Sequence, residues 1–174
     1  MPLIEKQLQN FDFDKIKADT LKIIEANPCL SQIGLTHSNA ILTEQEKILE
    51  SVGSILDETG SMRFKETDFV NFNDAYKDTS LYEMYTAIPN LGRFRIMIMD
   101  GPKCYTIHRD LTKRYHYVLE TNANCIFLFP GLKLQFHLPA DGILYKVDTT
   151  NKHTFVNGSK ERRIHLVIDD ISTL

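Results

Sequence analysis

The sequence predicts an α+β chain, mostly β, with helices first and an antiparallel sandwich or barrel after them. Two observations carry this. In the first half, apolar residues recur at helical spacing behind two recognisable caps. From Arg93 onward, about seven short strand-like runs are cut at even intervals by Gly, Pro, Asn and Asp. Helices of that kind are expected to cover one face of the sheet.

Asp12 can cap a first helix, in which Phe13, Ile16, Leu21 and Ile24 fall roughly on one face. Asn27-Pro28 ends it. Thr43 and Glu46 form a capping box for a second helix carrying Ile48, Leu49, Val52, Ile55 and Leu56, with Gly60 as its stop. Phe64 to Asp78 has no clean period and reads as irregular. Ser80 to Ile88 reads as a short helix before Pro89. The expected strands are Phe94–Met99, Cys104–His108, Arg114–Leu119, Cys125–Phe129, Leu132–Leu138, Ile143–Val147 and Arg162–Ile168.

The chain of 174 residues fits a single domain spanning 1–174, with a helical and irregular part over 1–89 and a β core over 90–174. Its hydrophobic fraction of 43% and charged fraction of 25% are those of a soluble globular protein. A net charge of −3 offers nothing to nucleic acid or to an anionic membrane surface. The three cysteines, Cys29, Cys104 and Cys125, are odd in number and far apart, which argues against disulfides or a cysteine zinc site and for reduced, mostly buried thiols. With no secretory-type apolar run and none of membrane-spanning length, the expected location is the cytoplasm.

His108-Arg109-Asp110 is an H-x-D pair in an expected strand, where residues two apart face the same side. His153 opens another strand-like run. Two imidazoles and a carboxylate are the facial set used for non-haem Fe(II), which leaves coordination positions open. Spacing alone is a weak signal, because H-x-D occurs by chance and a structural histidine hydrogen-bonded to a neighbour is the commoner case. Arg163, ten residues after His153, shifts the balance, because a guanidinium fork matches a carboxylate. Alternation sends Arg163 and His165 to one face, and Ile164 and Leu166 to the other. Arg114 and His116 likewise share a face.

As an ordered set, these segments resemble the aspartyl/asparaginyl β-hydroxylase-like family of 2-oxoglutarate oxygenases, a group that extends to free L-proline hydroxylases. The matching pieces are Leu91-Gly-Arg-Phe-Arg-Ile-Met, Tyr105-Thr-Ile-His-Arg-Asp, Arg114-Tyr-His-Tyr-Val-Leu-Glu-Thr-Asn, Gly142-Ile-Leu-Tyr-Lys-Val-Asp, His153-Thr-Phe-Val-Asn-Gly and Arg162-Arg-Ile-His-Leu-Val-Ile-Asp. They cover residues 90 to 170 or so; residues 1–89 match no motif.

The resemblance implies a double-stranded β-helix, a cupin-like jelly roll with the N-terminal helices packed outside. It implies Fe(II) held by His108, Asp110 and His153, with O2 and 2-oxoglutarate as co-substrates. Arg163 matches the residue that binds the distal carboxylate of 2-oxoglutarate, or Arg162 does if the strand slips by one. Arg114 and His116 match a basic pair near the co-substrate's other end. The reaction implied is hydroxylation of an amino-acid side chain, in a free amino acid or in a peptide or protein. For a small charged substrate, Arg93, Arg95, Arg109, His37 and Asn39 are candidates at the barrel mouth, and each more commonly serves as a surface or structural group. The competing reading is a cupin-like metal-binding protein or isomerase without oxygenase activity, which needs no arginine after the last ligand. Substrate and oligomeric state are not legible in these residues.

Overall fold

The protein is described by a computed structural model over residues 2–38, 41–55 and 59–174. Helix α1 (Phe13–Ala26) starts where Asp12 accepts the backbone N–H of Lys15, as the cap predicts. It buries Ile16, Thr20 and Ile23. The expected capping box is present in α2 (Glu44–Glu50), with Thr43 and Glu46 exchanging bonds. This helix ends far earlier than Gly60. Gly53 adopts φ +77°, a left-handed conformation that stops the helix once Ser51 has capped it. Val52 and Ile55 therefore lie beyond it, and Leu56 lies outside the described residues. Helix α3 (Ser80–Ala87) matches its expected span.

The strands are β1 (Ile4–Lys6), β2 (Gln32–Gly34), β3 (Thr36–His37), β4 (Asn71–Phe72), β5 (Leu91–Met99), β6 (Lys103–Cys104), β7 (Lys113–Glu120), β8 (Cys125–Phe129), β9 (Leu134–Phe136), β10 (Leu144–Val147), β11 (Thr154–Asn157) and β12 (Arg163–Asp170). One sheet runs β1-β10-β7-β12-β5-β2 and a second runs β6-β11-β8-β9, both antiparallel. From β5 to β12 the chain passes repeatedly from one sheet to the other. That winding is the double-stranded β-helix, so the fold class is α+β, mostly β, as the sequence predicts.

The N-terminal part departs from a purely helical reading. It contributes β1 to the β10 edge and β2 to the β5 edge of the larger sheet, while β3 and β4 pair separately. Segments this short carry too few residues for alternation to show. The expected strand over Cys104–His108 shrinks to Lys103–Cys104, and His108 instead forms an isolated antiparallel bridge with His153.

Alternation along the larger sheet divides the molecule. Phe94 and Ile96 of β5, Tyr117 and Leu119 of β7, and Ile164, Leu166 and Ile168 of β12 pack against Ile16, Ile23, Leu81 and Met84 of α1 and α3. The opposite faces of the same strands turn Arg93, Arg95, Arg114, His116 and Arg163 into the barrel. Phe127, Phe129, Phe155 and Val118 form a second apolar cluster there. The helices thus rigidify the outer face of the strands whose inner face carries the polar groups. Of the three cysteines, only Cys125 is buried; Cys29 and Cys104 are exposed, against the expectation of mostly buried thiols.

Candidate metal and carboxylate site

His108 and His153 face each other across two backbone bonds, His108 N–H to the His153 carbonyl at 3.0 Å and the reverse at 2.8 Å. Asp110 is anchored by its N–H to the Thr149 carbonyl at 2.9 Å. These bonds do what a continuous strand was expected to do. They bring one imidazole nitrogen from each histidine and one Asp110 oxygen within 4.8 Å of one another. His108 Nε2 lies 3.7 Å from Asp110 Oδ1, and His153 Nε2 lies 3.6 Å from Oδ2.

Three observations show that this set suits a divalent metal. His108 Nδ1 meets the Thr106 carbonyl at 2.7 Å and His153 Nδ1 meets the Asn151 carbonyl at 3.0 Å. With Nδ1 acting as donor, each Nε2 presents a lone pair toward the cluster. Asp110 Oδ2 is buried and has no hydrogen-bond partner among the described residues. Burial lowers the pKa of His153, opposed by its Asn151 bond and by Asp110, which favours the neutral, ligating imidazole.

Arg163 lies inside the barrel, 2% exposed, with its guanidinium carbon 4.0 Å from the Phe155 ring centroid. Its Nε and Nη1 are buried without hydrogen-bond partners among the described residues. Burial pushes its pKa down to about 10, so it is still a cation at neutral pH. Arg162, the alternative under a one-residue slip, points outward and pairs with Glu120 at 2.7 Å and 3.2 Å. The register is therefore the expected one, with Arg163 inside.

His116 and His165 meet at 3.5 Å between their Nδ1 atoms, and the Nε2 of each is buried without a partner among the described residues. Burial, then Arg163, drives both pKa values well below the usual imidazole range. Neutral rings here can donate or accept without adding charge. Arg114 lines the same cavity, with its guanidinium held by carboxylates: Nη2 to Asp110 at 2.8 Å and Nε to Asp169 at 3.0 Å. Within the basic pair, both Arg114 Nε and His116 Nε2 are buried without a hydrogen-bond partner among the described residues, and Arg114 is in addition held by carboxylates.

Arg93 and Arg95 correct the expectation of surface charges: both are buried and both line the cavity. Arg109 lines it as well. His37 does not; it sits on β3 with Nδ1 against the Ser38 carbonyl at 2.7 Å, in a separate groove. Asn39 lies outside the described residues. Two buried carboxylates in the cavity region were not singled out from sequence. Asp169 follows Arg163 at even spacing on β12, so the alternation that flags Arg163 also points to it. Glu66 lies in the irregular stretch and carries no such signal. Burial raises the pKa of Asp169, and Arg114, Arg93 and Arg95 together outweigh this and hold it well below the usual carboxylate range. Burial and Asp169 push Glu66 up.

Asp169→Asn keeps the shape and removes the charge shared by the arginines. Breaking a buried ionic network of this kind is expected to cost about 3–5 kcal/mol, read by urea denaturation at pH 7. Because the folded-state pKa is depressed, the contribution is present above the ordinary carboxylate range near 4 and is lost as pH falls below it. The variant should therefore show a flatter acid limb. A loss below about 1 kcal/mol would mean that the network does not hold the barrel end together.

No family model matches the chain, and no curated protein matches it. Among solved structures, it is similar to a viral collagen prolyl hydroxylase from Paramecium bursaria Chlorella virus-1, solved with 2OG, at 11% identity over 97% of each chain and a TM-score of 0.46. Among the described residues, no helix is long and apolar enough to cross a membrane.

Proposed function

We propose that this protein is an Fe(II)- and 2-oxoglutarate-dependent dioxygenase that hydroxylates an amino-acid side chain, free or within a peptide. One observation carries the reading: a cluster able to hold a metal shares one cavity of about 450 Å3 with a buried arginine, Arg163, whose Nε and Nη1 have no hydrogen-bond partner among the described residues. A structural metal site needs the first and has no use for the second. The sequence resemblance to the aspartyl/asparaginyl β-hydroxylase-like family supports the same reading.

In it, His108, Asp110 and His153 would hold the metal at the edge of the cavity they line. Arg163 receives the distal carboxylate of 2-oxoglutarate through its fork, and His116 offers a ring nitrogen between the two. Iron bound there would supply oxygen activation coupled to oxidative decarboxylation of the co-substrate to succinate and carbon dioxide. The chain's own share is placement and dryness: Phe127 and Phe155 wall the cavity, and the backbone bonds to both Nδ1 atoms fix the imidazole orientations.

The test is an anaerobic titration of Fe(II) and 2-oxoglutarate into the metal-free protein. The expected result is a visible charge-transfer absorption that needs both components. Metal binding without any 2-oxoglutarate binding would overturn the reading and favour a cupin-like metal protein or isomerase.

A further inference from the structure

Asp169 faces three guanidinium groups and engages two of them closely. Arg93 donates from Nε to Asp169 Oδ2 at 2.8 Å and from Nη1 to the Gly53 carbonyl at 3.1 Å. Arg114 reaches Asp169 Oδ1 at 3.0 Å and Asp110 at 2.8 Å. Arg95 is held least closely of the three, although Arg114 Nε also lacks a hydrogen bond among the described residues. The carboxylate nearest Arg95 is Asp169 at 3.6 Å, and Nε and Nη2 of Arg95 are buried with no hydrogen-bond partner among the described residues. It is 2% exposed. On the inner face of the sheet it lies in one register row with Val167 and His116, and it lines the cavity that holds His108, Asp110 and His153.

A buried cation without its hydrogen bonds is costly, and groups of this kind persist in folds where a ligand completes them. We propose that Arg95 receives the carboxylate of a small substrate, a free amino acid or short organic acid, bound beside the metal cluster. This rests on the reading of the cavity given above, in which the co-substrate's distal carboxylate already occupies Arg163.

Charge balance points the same way. Arg93, Arg95 and Arg114 are matched by Glu66, Asp110 and Asp169. A divalent metal adds two positive charges at the triad. The chelating carboxylate of a 2-oxo acid removes one, and its distal carboxylate cancels Arg163. One positive charge then remains, and of Arg93, Arg95 and Arg114 it is Arg95 that has two nitrogens without a hydrogen-bond partner among the described residues. An internal residue of a polypeptide brings no α-carboxylate, whereas a free acid does. A cavity of about 450 Å3 suits a short diacid and one further small molecule.

The test uses protein loaded with Zn(II), which supports binding without redox turnover, and saturated with 2-oxoglutarate. Ligand-observed NMR screens the free L-amino acids, their carboxamides and short dicarboxylic acids, and calorimetry measures the hits. The expected result is at least one free acid that binds about tenfold or more tightly than its carboxamide, since only the carboxylate forms charge-assisted bonds. Arg95→Gln should weaken that acid by a similar factor and keep 2-oxoglutarate affinity within about twofold; Arg95→Lys should recover part of the loss. The proposal is overturned if no free acid binds, if acid and amide bind alike, or if Arg95→Gln weakens 2-oxoglutarate instead of the acid. The acid-against-amide comparison is made on the unaltered protein, so it stands even if the variants fold poorly. Failure of the iron reading shows separately, as an absent charge-transfer absorption, while the acid-against-amide preference can still be measured on the Zn(II) protein.

Discussion

Arg163→Ala should raise the 2-oxoglutarate requirement by about 100- to 1,000-fold while leaving metal binding almost unchanged. The size follows from leaving a carboxylate without its charge-assisted pair inside the barrel, about 3–4 kcal/mol at a tenfold change per 1.4 kcal/mol. The selectivity follows from position, because Arg163 stacks on Phe155 inside the barrel while the three candidate ligands are gathered by the His108–His153 bridge. Arg163→Lys should recover only part, since an ammonium is a point charge without the fork. Arg162→Ala, which removes only a surface pair with Glu120, should leave the affinity within about twofold. A further consequence separates binding from folding. Arg163 is a buried cation with unmade hydrogen bonds, so the shape-preserving Arg163→Met should keep or raise the thermal midpoint of the ligand-free protein. A variant that kept 2-oxoglutarate affinity would end the assignment. A large drop in ligand-free stability would show that Arg163 holds the barrel together.

Removing any one of His108, Asp110 or His153 should take turnover to background and weaken metal binding by about 100-fold or more. Loss of a group that merely orients a ligand typically costs about 10–100-fold, and loss of the ligand itself costs at least the upper end of that range. His153→Ala is the cleaner probe, because His153 is buried and anchored through backbone bonds that an alanine keeps. Asp110→Asn tests the charge: it preserves the shape but removes the unpartnered Oδ2 that faces His153. Isothermal titration with Zn(II) and with anaerobic Fe(II) reads the metal affinity directly. Unchanged affinity in His153→Ala would move the metal elsewhere and remove the basis for the oxygenase reading.

The fold class and most of the candidate site can be read along the chain because they depend on local rules. Caps at Asp12 and Thr43 start helices wherever the rest of the chain goes, since the bond they make is to a backbone N–H three residues on. Strand alternation sorts Arg163 and His165 from Ile164 and Leu166 without any knowledge of what lies opposite. The same rule sorts Arg114 and His116 from Tyr115 and Tyr117.

What local rules cannot reach is which side of the molecule a face meets. Arg93 and Arg95 have the right alternation, yet a pair of arginines on a strand is most often solvated. Only the tertiary fold, which sets Gly53 and Glu66 against β5, encloses them, and only the distances to Asp169 reveal that Arg95 is held less closely than Arg93. The triad shows the division most clearly. His108, Asp110 and His153 could be named from spacing and residue type. Their convergence depends on a two-residue bridge and on the Asp110 bond to Thr149, not on the continuous strand that the spacing suggested. By itself the sequence determined the helix starts, the faces of the long strands and the candidate ligands, because each follows from neighbours along the chain. The tertiary structure alone decided what those faces enclose, because burial and charge pairing depend on residues tens of positions apart brought within a few ångströms.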